Sequence, residues 1–204
     1  MTNFKKVFSV FKGHYVDVPL EIYGNDPYKT LVATTLSSRT KDEVTLKATK
    51  KLFKMAPNFK KLSKLKEEEI EQLVYPVGFY KTKAKHLKKM ANIVLNKFGG
   101  KVPERKGDLM KLPGVGTKTA NLVLNRAFGK PAIAVDTHVH KISNLLGWVH
   151  TDSPEKTEKE LVKKVPKKYW SDLNKLFVSI GRQHTTKRSL IYFLKKEGLI
   201  PQEE

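Results

Sequence analysis

Apolar residues recur at helical spacing along almost the whole chain, and the alternation typical of strands is nearly absent. Asp26-Pro27 is a capping residue followed by proline at a first helical position, and it leads into an apolar run from Tyr28 to Leu36. Thr40 and Glu43 have the spacing of a capping box and open a periodic stretch to Phe53. Further helices are predicted over 66–74, ended by Pro76 and Gly78, and over 83–98, with Thr82 as cap and Gly99-Gly100 as stop. A short turn over 107–112 precedes a helix over 117–127, which ends before Gly129 and Pro131. Asp136 caps a helix carrying Val139, Ile142, Leu145 and Leu146, and Ser153-Pro154 opens another with Leu161, Val162 and Val165. Pro166 opens the next, with Tyr169, Trp170, Leu173, Leu176, Phe177 and Ile180 on its apolar face and Gly181 as its expected stop. A last helix is predicted over 187–197. The strand-like piece 131–135 is too isolated to build a sheet. The pattern predicts an all-α protein of roughly nine or ten helices with short connections, without internal repeats or low-complexity linkers.

Composition narrows the class. The chain has 204 residues, 39% of them hydrophobic, enough for a packed core. Its 40 basic residues against 20 acidic ones give a formal charge of +20, which points first to a polyanionic partner such as nucleic acid. The bland reading is a lysine-rich proteome. The lysines near 41–66 and 81–89 share their helices with apolar residues at i, i+3 and i+4, so many belong to solvated faces. There is no cysteine, which excludes disulfides, thiolate metal sites and cysteine-held iron–sulfur clusters. No apolar run has the length of a bilayer span, and Val7–Phe11 is too short for a signal peptide. The expectation is an intracellular protein of the cytoplasm or nucleoid, away from membranes.

The chemistry concentrates in Leu112-Pro113-Gly114-Val115-Gly116-Thr117-Lys118-Thr119, with Asp136 downstream. Gly114 and Gly116 permit backbone angles and close approach that a side chain would block. The unpaired N–H groups at the start of the following helix carry partial positive charge, so the hairpin can grip a phosphate without reading sequence. A plain helix–turn–helix corner explains the glycines equally well. Lys118 is either a solvated or phosphate-neutralising lysine or an amine nucleophile at a helix start. Asp136 is fully accounted for as a helix cap, and a rigid cap carboxylate can also accept a proton or stabilise a cationic sugar. His138 and His140 stand two apart and do not share a helix face, which argues against a metal site. Trp148 and Trp170 are expected in the core.

Residues 112–146, LPGVGTKTANLVLNRAFGKPAIAVDTHVHKISNLL, closely resemble the helix–hairpin–helix Gly/Pro…Asp superfamily of DNA glycosylases, in its endonuclease III branch. The match extends upstream through TLSSRTKD (35–42) and VGFYKTKA (77–84) and weakly downstream to Gly181-Arg182. The resemblance implies a two-lobed all-α fold. One lobe is a helical barrel over 24–131, with the helix–hairpin–helix at about 107–127, and the other joins 1–23 to 132–204. Double-stranded DNA would lie across the cleft between them, bound by a monomer, with the damaged nucleotide flipped out of the stack. It implies a base excision repair enzyme, a bifunctional DNA N-glycosylase and abasic-site lyase that removes damaged pyrimidines. Lys118 matches the lysine that attacks the sugar C1′ and forms the Schiff base from which β-elimination cuts the strand. Asp136 matches the essential aspartate of the superfamily. By the same resemblance Gly114, Val115, Gly116, Thr117 and Thr119 grip the DNA backbone, and Lys83 and His138 are further DNA contacts.

Two departures leave the substrate open. Arg39 stands where the branch has glutamine, as in relatives that excise uracil or thymine from mismatches. It can fill the gap left by the flipped base and bond the orphaned base, or it can bind a phosphate. Phe79 stands at an apolar wedge position, where an aromatic can stack between bases, or it is a core residue. A mismatch glycosylase of the same fold is therefore the alternative, and a non-catalytic DNA-binding module the second. The branch also ends in four cysteines that hold an iron–sulfur cluster, whereas Thr185 stands at the first of those positions and none follows. No cofactor is expected. Apolar packing must replace the cluster, and Gln183, His184, Lys187 and Arg188 stand where they can take over its DNA contact.

Overall fold

The computed structural model describes residues 3–202, and these form helices and connections with no strand. In chain order the helices are α1 (Phe4–Gly13), α2 (Pro27–Ser37), α3 (Asp42–Met55), α4 (Phe59–Leu62), α5 (Glu67–Val74), α6 (Tyr80–Phe98), α7 (Lys106–Leu109), α8 (Thr117–Phe128), α9 (Thr137–Leu145), α10 (Pro154–Lys164), α11 (Trp170–Gln183) and α12 (Lys187–Lys196). Single 3-10 turns occupy Pro19–Tyr23 and Lys167–Tyr169. Among the described residues, no helix is long and apolar enough to cross a membrane.

Several helix starts follow from side-chain caps that satisfy orphan N–H groups. Asp26 accepts from the Lys29 N–H at 3.0 Å, Asn58 from Lys61 at 2.9 Å and Thr186 from Ser189 at 3.0 Å. Four expected boundaries differ. Pro166 opens only the 3-10 turn at Lys167–Tyr169, and α11 begins at Trp170. Thr40 does not cap α3; Lys41 precedes that helix, and the Thr40 hydroxyl is drawn into contacts with Gly78 and Lys83. Thr82 does not cap α6, which begins at Tyr80 behind a left-handed Phe79. Gly181 does not stop α11, which continues to Gln183.

The chain divides into two compact units, residues 19–130 and residues to Val18 joined with those from Pro131 onward. The first begins ahead of the boundary at 24 because the 3-10 turn at Pro19–Tyr23 packs on α2 and α3. Its centre is α2, with Leu31, Val32 and Leu36 at 0% exposure and α3, α6 and α8 packed around it. Leu52, Leu62, Ile70, Leu87, Met90 and Leu109 are equally buried. Each such side chain contributes about 1.5–3 kcal/mol relative to exposure. Arg126 of α8 pairs with Glu21 at 2.5 Å, tying the 3-10 turn to the helix after the hairpin.

The second unit is organised on α11, whose Leu173, Leu176, Phe177 and Ile180 are buried, with α1 and α9 against it and α10 against α9. Its core is aromatic. Phe11 meets Phe177 edge-on at 5.1 Å, Phe4 meets Trp148 at 4.6 Å, and Phe8 stacks on Tyr169 at 4.3 Å. Leu190, Phe193 and Leu194 of α12 enter the same core.

Candidate nucleic-acid interface and active site

The segment after α7 forms a tight hairpin. The Val115 N–H donates to the Leu112 carbonyl at 3.1 Å, with Pro113 and Gly114 between them and Gly114 at φ +78°. Proline followed by a left-handed glycine is the signature of a type II turn. Glycine is required at 114 a second time by space, because a Cβ there would lie 2.9 Å from His86 Nδ1 and 3.2 Å from Thr35 Cγ2. Val115 is buried and anchors the turn. Gly116 is different. It is extended at φ −94°, and a Cβ there would meet nothing within 4 Å. No side chain caps α8. Lys118 is exposed in its first turn, with Thr117 and Thr119 half-buried on either side. The hairpin thus presents helix-start N–H groups and an amine beside an unobstructed backbone.

Arg39 and Phe79 come together in the same unit. Both are non-glycine residues in the left-handed region, at φ 52° and 57°. The Arg39 guanidinium carbon stands 5.6 Å from the Phe79 ring centroid, a cation–π pair. Phe79 is 64% exposed, which removes it from the core. With Thr35, Ser38, Thr82, Lys83, His86 and Gly114 they line a cavity of about 230 Å³. Lys83, expected at the DNA surface, is 6% exposed, and its Nζ donates to the carbonyls of Leu36 at 2.8 Å and Ser38 at 2.5 Å. Burial lowers its pKa from 10.5 to about 8.

Asp136 lies in the other unit, at the start of α9. Its Oδ1 accepts from the Val139 N–H at 2.9 Å, the cap read from the sequence. The approach to it is fixed by Asn174 of α11, which donates to the Ala134 carbonyl at 3.0 Å. His138 is half-buried and packs on Gly181, where a Cβ would stand 2.7 Å from His138 Cγ. His140 is bound to Thr157 of α10 at 2.6 Å.

An iron–sulfur cluster does not fit the donor set. The chain contains no cysteine, and among the described residues no group of three or more His, Asp or Glu side chains can hold a metal. After α11, Gln183 donates to the His14 carbonyl at 2.9 Å, and His184 stacks on Phe193 at 4.5 Å. Those two side chains secure the tail, while Lys187 and Arg188 are exposed.

Sequence reasoning missed His86, Gly78 and Thr40. His86 follows Thr82 and Lys83 at helical spacing, which places it on the same face of α6 and was a usable signal. A Cβ on Gly78 would lie 2.7 Å from the Arg39 carbonyl oxygen, a tertiary requirement with no local trace.

The family model described as HhH-GPD superfamily base excision DNA repair protein matches residues 32–167. Endonuclease III of Thermotoga maritima is 48% identical over 158 residues, covering 78% of this chain and 74% of its own. A solved structure of a trapped endonuclease III–DNA covalent intermediate, an estranged-adenine complex, is 37% identical with a TM-score of 0.77, over 90% of this chain and 83% of that one. The structure of a thermostable thymine-DNA glycosylase is 25% identical with a TM-score of 0.81, over 96% and 90%.

Proposed function

This chain belongs to the HhH-GPD superfamily of base excision DNA repair proteins as an endonuclease III-like DNA glycosylase and abasic-site lyase, and we propose that it acts on damaged pyrimidines in double-stranded DNA through Lys118 and Asp136. The hairpin holds the phosphate backbone through the N–H groups at the start of α8. The Lys118 amine attacks C1′, and the base leaves with the electrons of its glycosidic bond. The amine loses a proton and the C1′–O4′ bond opens, with O4′ taking up a proton, which gives the Schiff base. This acidifies the C2′ proton, and its loss breaks the C3′–O bond and expels the phosphate. Asp136, held rigid by its cap bond, accepts a proton or stabilises the cationic sugar.

The observation that carries this reading is an exposed amine in the first turn of an uncapped helix, directly after a glycine whose open side no contact within the chain requires. Borohydride reduction should trap a covalent adduct with abasic DNA. If Lys118→Gln still traps and still nicks, the assignment of the nucleophile is wrong.

A second reading, excision of uracil or thymine opposite guanine, is favoured by Arg39, whose planar head projects beside an exposed Phe79. Duplexes carrying thymine glycol, dihydrouracil, uracil–guanine and thymine–guanine pairs separate the two. Preference for the mismatches would displace damaged pyrimidines as the substrate.

A further inference from the structure

Left-handed backbone is disfavoured for residues that carry a Cβ, and such residues persist where their surroundings hold them. Arg39 and Phe79 are both held, and by the same few atoms. On one side stands Lys83 of α6. Its ammonium lies 2.8 Å from the Leu36 carbonyl, 2.5 Å from that of Ser38 and 3.3 Å from Thr40 Oγ1. Each of the three ammonium donors has an acceptor. Two of the acceptors are carbonyls at the negative end of α2, where a cation is favoured. Lysine is almost never as buried as Lys83 unless it is paired in this way. On the other side the Gly78 N–H donates to Thr40 Oγ1 at 3.1 Å, and Gly78 presses on the Arg39 carbonyl with no room for a Cβ. Thr40 therefore joins both clamps. Gly78 in turn precedes Phe79, so the α2–α3 turn and the start of α6 are one fixed body.

We propose that Lys83 is a positioning residue for duplex recognition: its buried ammonium locks the turn that carries Arg39 against the start of α6, so that Arg39 and Phe79 enter DNA as one preformed wedge. Lys83 itself meets no DNA. The proposal rests on the reading that Arg39 fills the gap left by the flipped nucleotide.

The test uses single-turnover rates of borohydride trapping on two substrates. One is a duplex containing a damaged pyrimidine, where a gap must be filled. The other is a single strand with a preformed abasic site, where there is none. Lys83→Met should lower the duplex-to-single-strand rate ratio at least about tenfold, and Lys83→Arg, which keeps a cation, should recover part of it. Because Lys83 acts through Arg39, the double variant with Arg39→Ala should lose no more than the larger single loss. A Lys83→Met ratio within about twofold of wild type, or a multiplicative loss in the double variant, overturns the proposal. Thr40→Val removes the hydroxyl shared by both clamps and serves if Lys83→Met does not fold. It should lower the ratio about threefold, and an unaltered ratio again overturns the proposal. An Arg39→Ala ratio equal to wild type overturns the gap-filling reading and the proposal with it. A lowered Arg39→Ala ratio beside an unaltered Lys83→Met ratio overturns the proposal alone.

Discussion

The imidazole of His138 lies directly against Gly181, and glycine is the one residue that fits there: a Cβ at 181 would overlap Nδ1 and stand 2.7 Å from Cγ. His138 belongs to the first turn of α9, and Asp136 is the cap of that turn. The glycine in the last turn of α11 therefore sets how closely the helix bearing the carboxylate approaches its support. Gly181→Ala should push His138 away and cost about 1–3 kcal/mol of stability, the usual range for overpacking, despite alanine's better helix propensity. Urea denaturation measures the loss. A variant as stable as wild type would mean that His138 moves aside without cost.

Asp136 carries a cap bond and a proposed chemical role, and two substitutions separate them. Asparagine caps a helix about as well as aspartate, so Asp136→Asn should change stability by less than about 0.5 kcal/mol. Asp136→Ala loses the bond to the Val139 N–H and should cost about 1 kcal/mol. Excision should fall at least about a hundredfold in both, because both lose the carboxylate. Retained excision in Asp136→Asn would reduce the residue to a cap.

These residues also mark what could be read in advance. The cap at Asp136, the start of α2 at Asp26-Pro27 and the Pro113-Gly114 turn are local, each written within a few consecutive residues. Thr40 and Thr82 carry the same local signal, yet neither caps a helix. Thr40 is instead bonded to Gly78 and Lys83, about forty positions on, contacts no short window contains. Gly181 carries a helix-stop signal worth about 1 kcal/mol, which packing against His138 outweighs. Helix α1 is absent from the predicted elements although its signals are local: Asn3 accepts from the Lys6 N–H at 2.9 Å as its cap, and Val7, Phe8 and Phe11 form one buried face. Lys83 is expected to contact DNA because nothing nearby in sequence announces that the end of α2 will surround it.

Gly116 gives the cleanest separation of folding from binding. A methyl group there meets nothing within 4 Å, and the extended backbone suits any residue. Gly116→Ala should leave the urea midpoint nearly unmoved, within about 0.5 kcal/mol. Where a phosphate must approach the backbone the methyl stands in the way, and affinity for duplex DNA should fall about tenfold at fixed salt. Equal affinity, measured by fluorescence anisotropy, would place the phosphate elsewhere on the chain.

Lys83 makes a pH prediction whose sign follows from its burial. Its pKa in the folded chain is about 8, against an ordinary 10.5, because holding the ammonium away from water disfavours the charged form. Below pH 8 both the folded and unfolded chains carry the proton, and the folded state bears the whole desolvation cost. Between pH 8 and 10.5 the unfolded chain binds more protons than the folded one, so folding stability attributable to Lys83 rises with pH across that window and levels off above it. The chain's other lysines titrate in the same range, so the quantity to measure is the difference in unfolding free energy between wild type and Lys83→Met. That difference should move in favour of wild type as pH increases from 8 to 10.5. A flat difference would show that the carbonyls of Leu36 and Ser38 fully offset the loss of water around the ammonium. A difference moving toward Lys83→Met would show that they more than offset it.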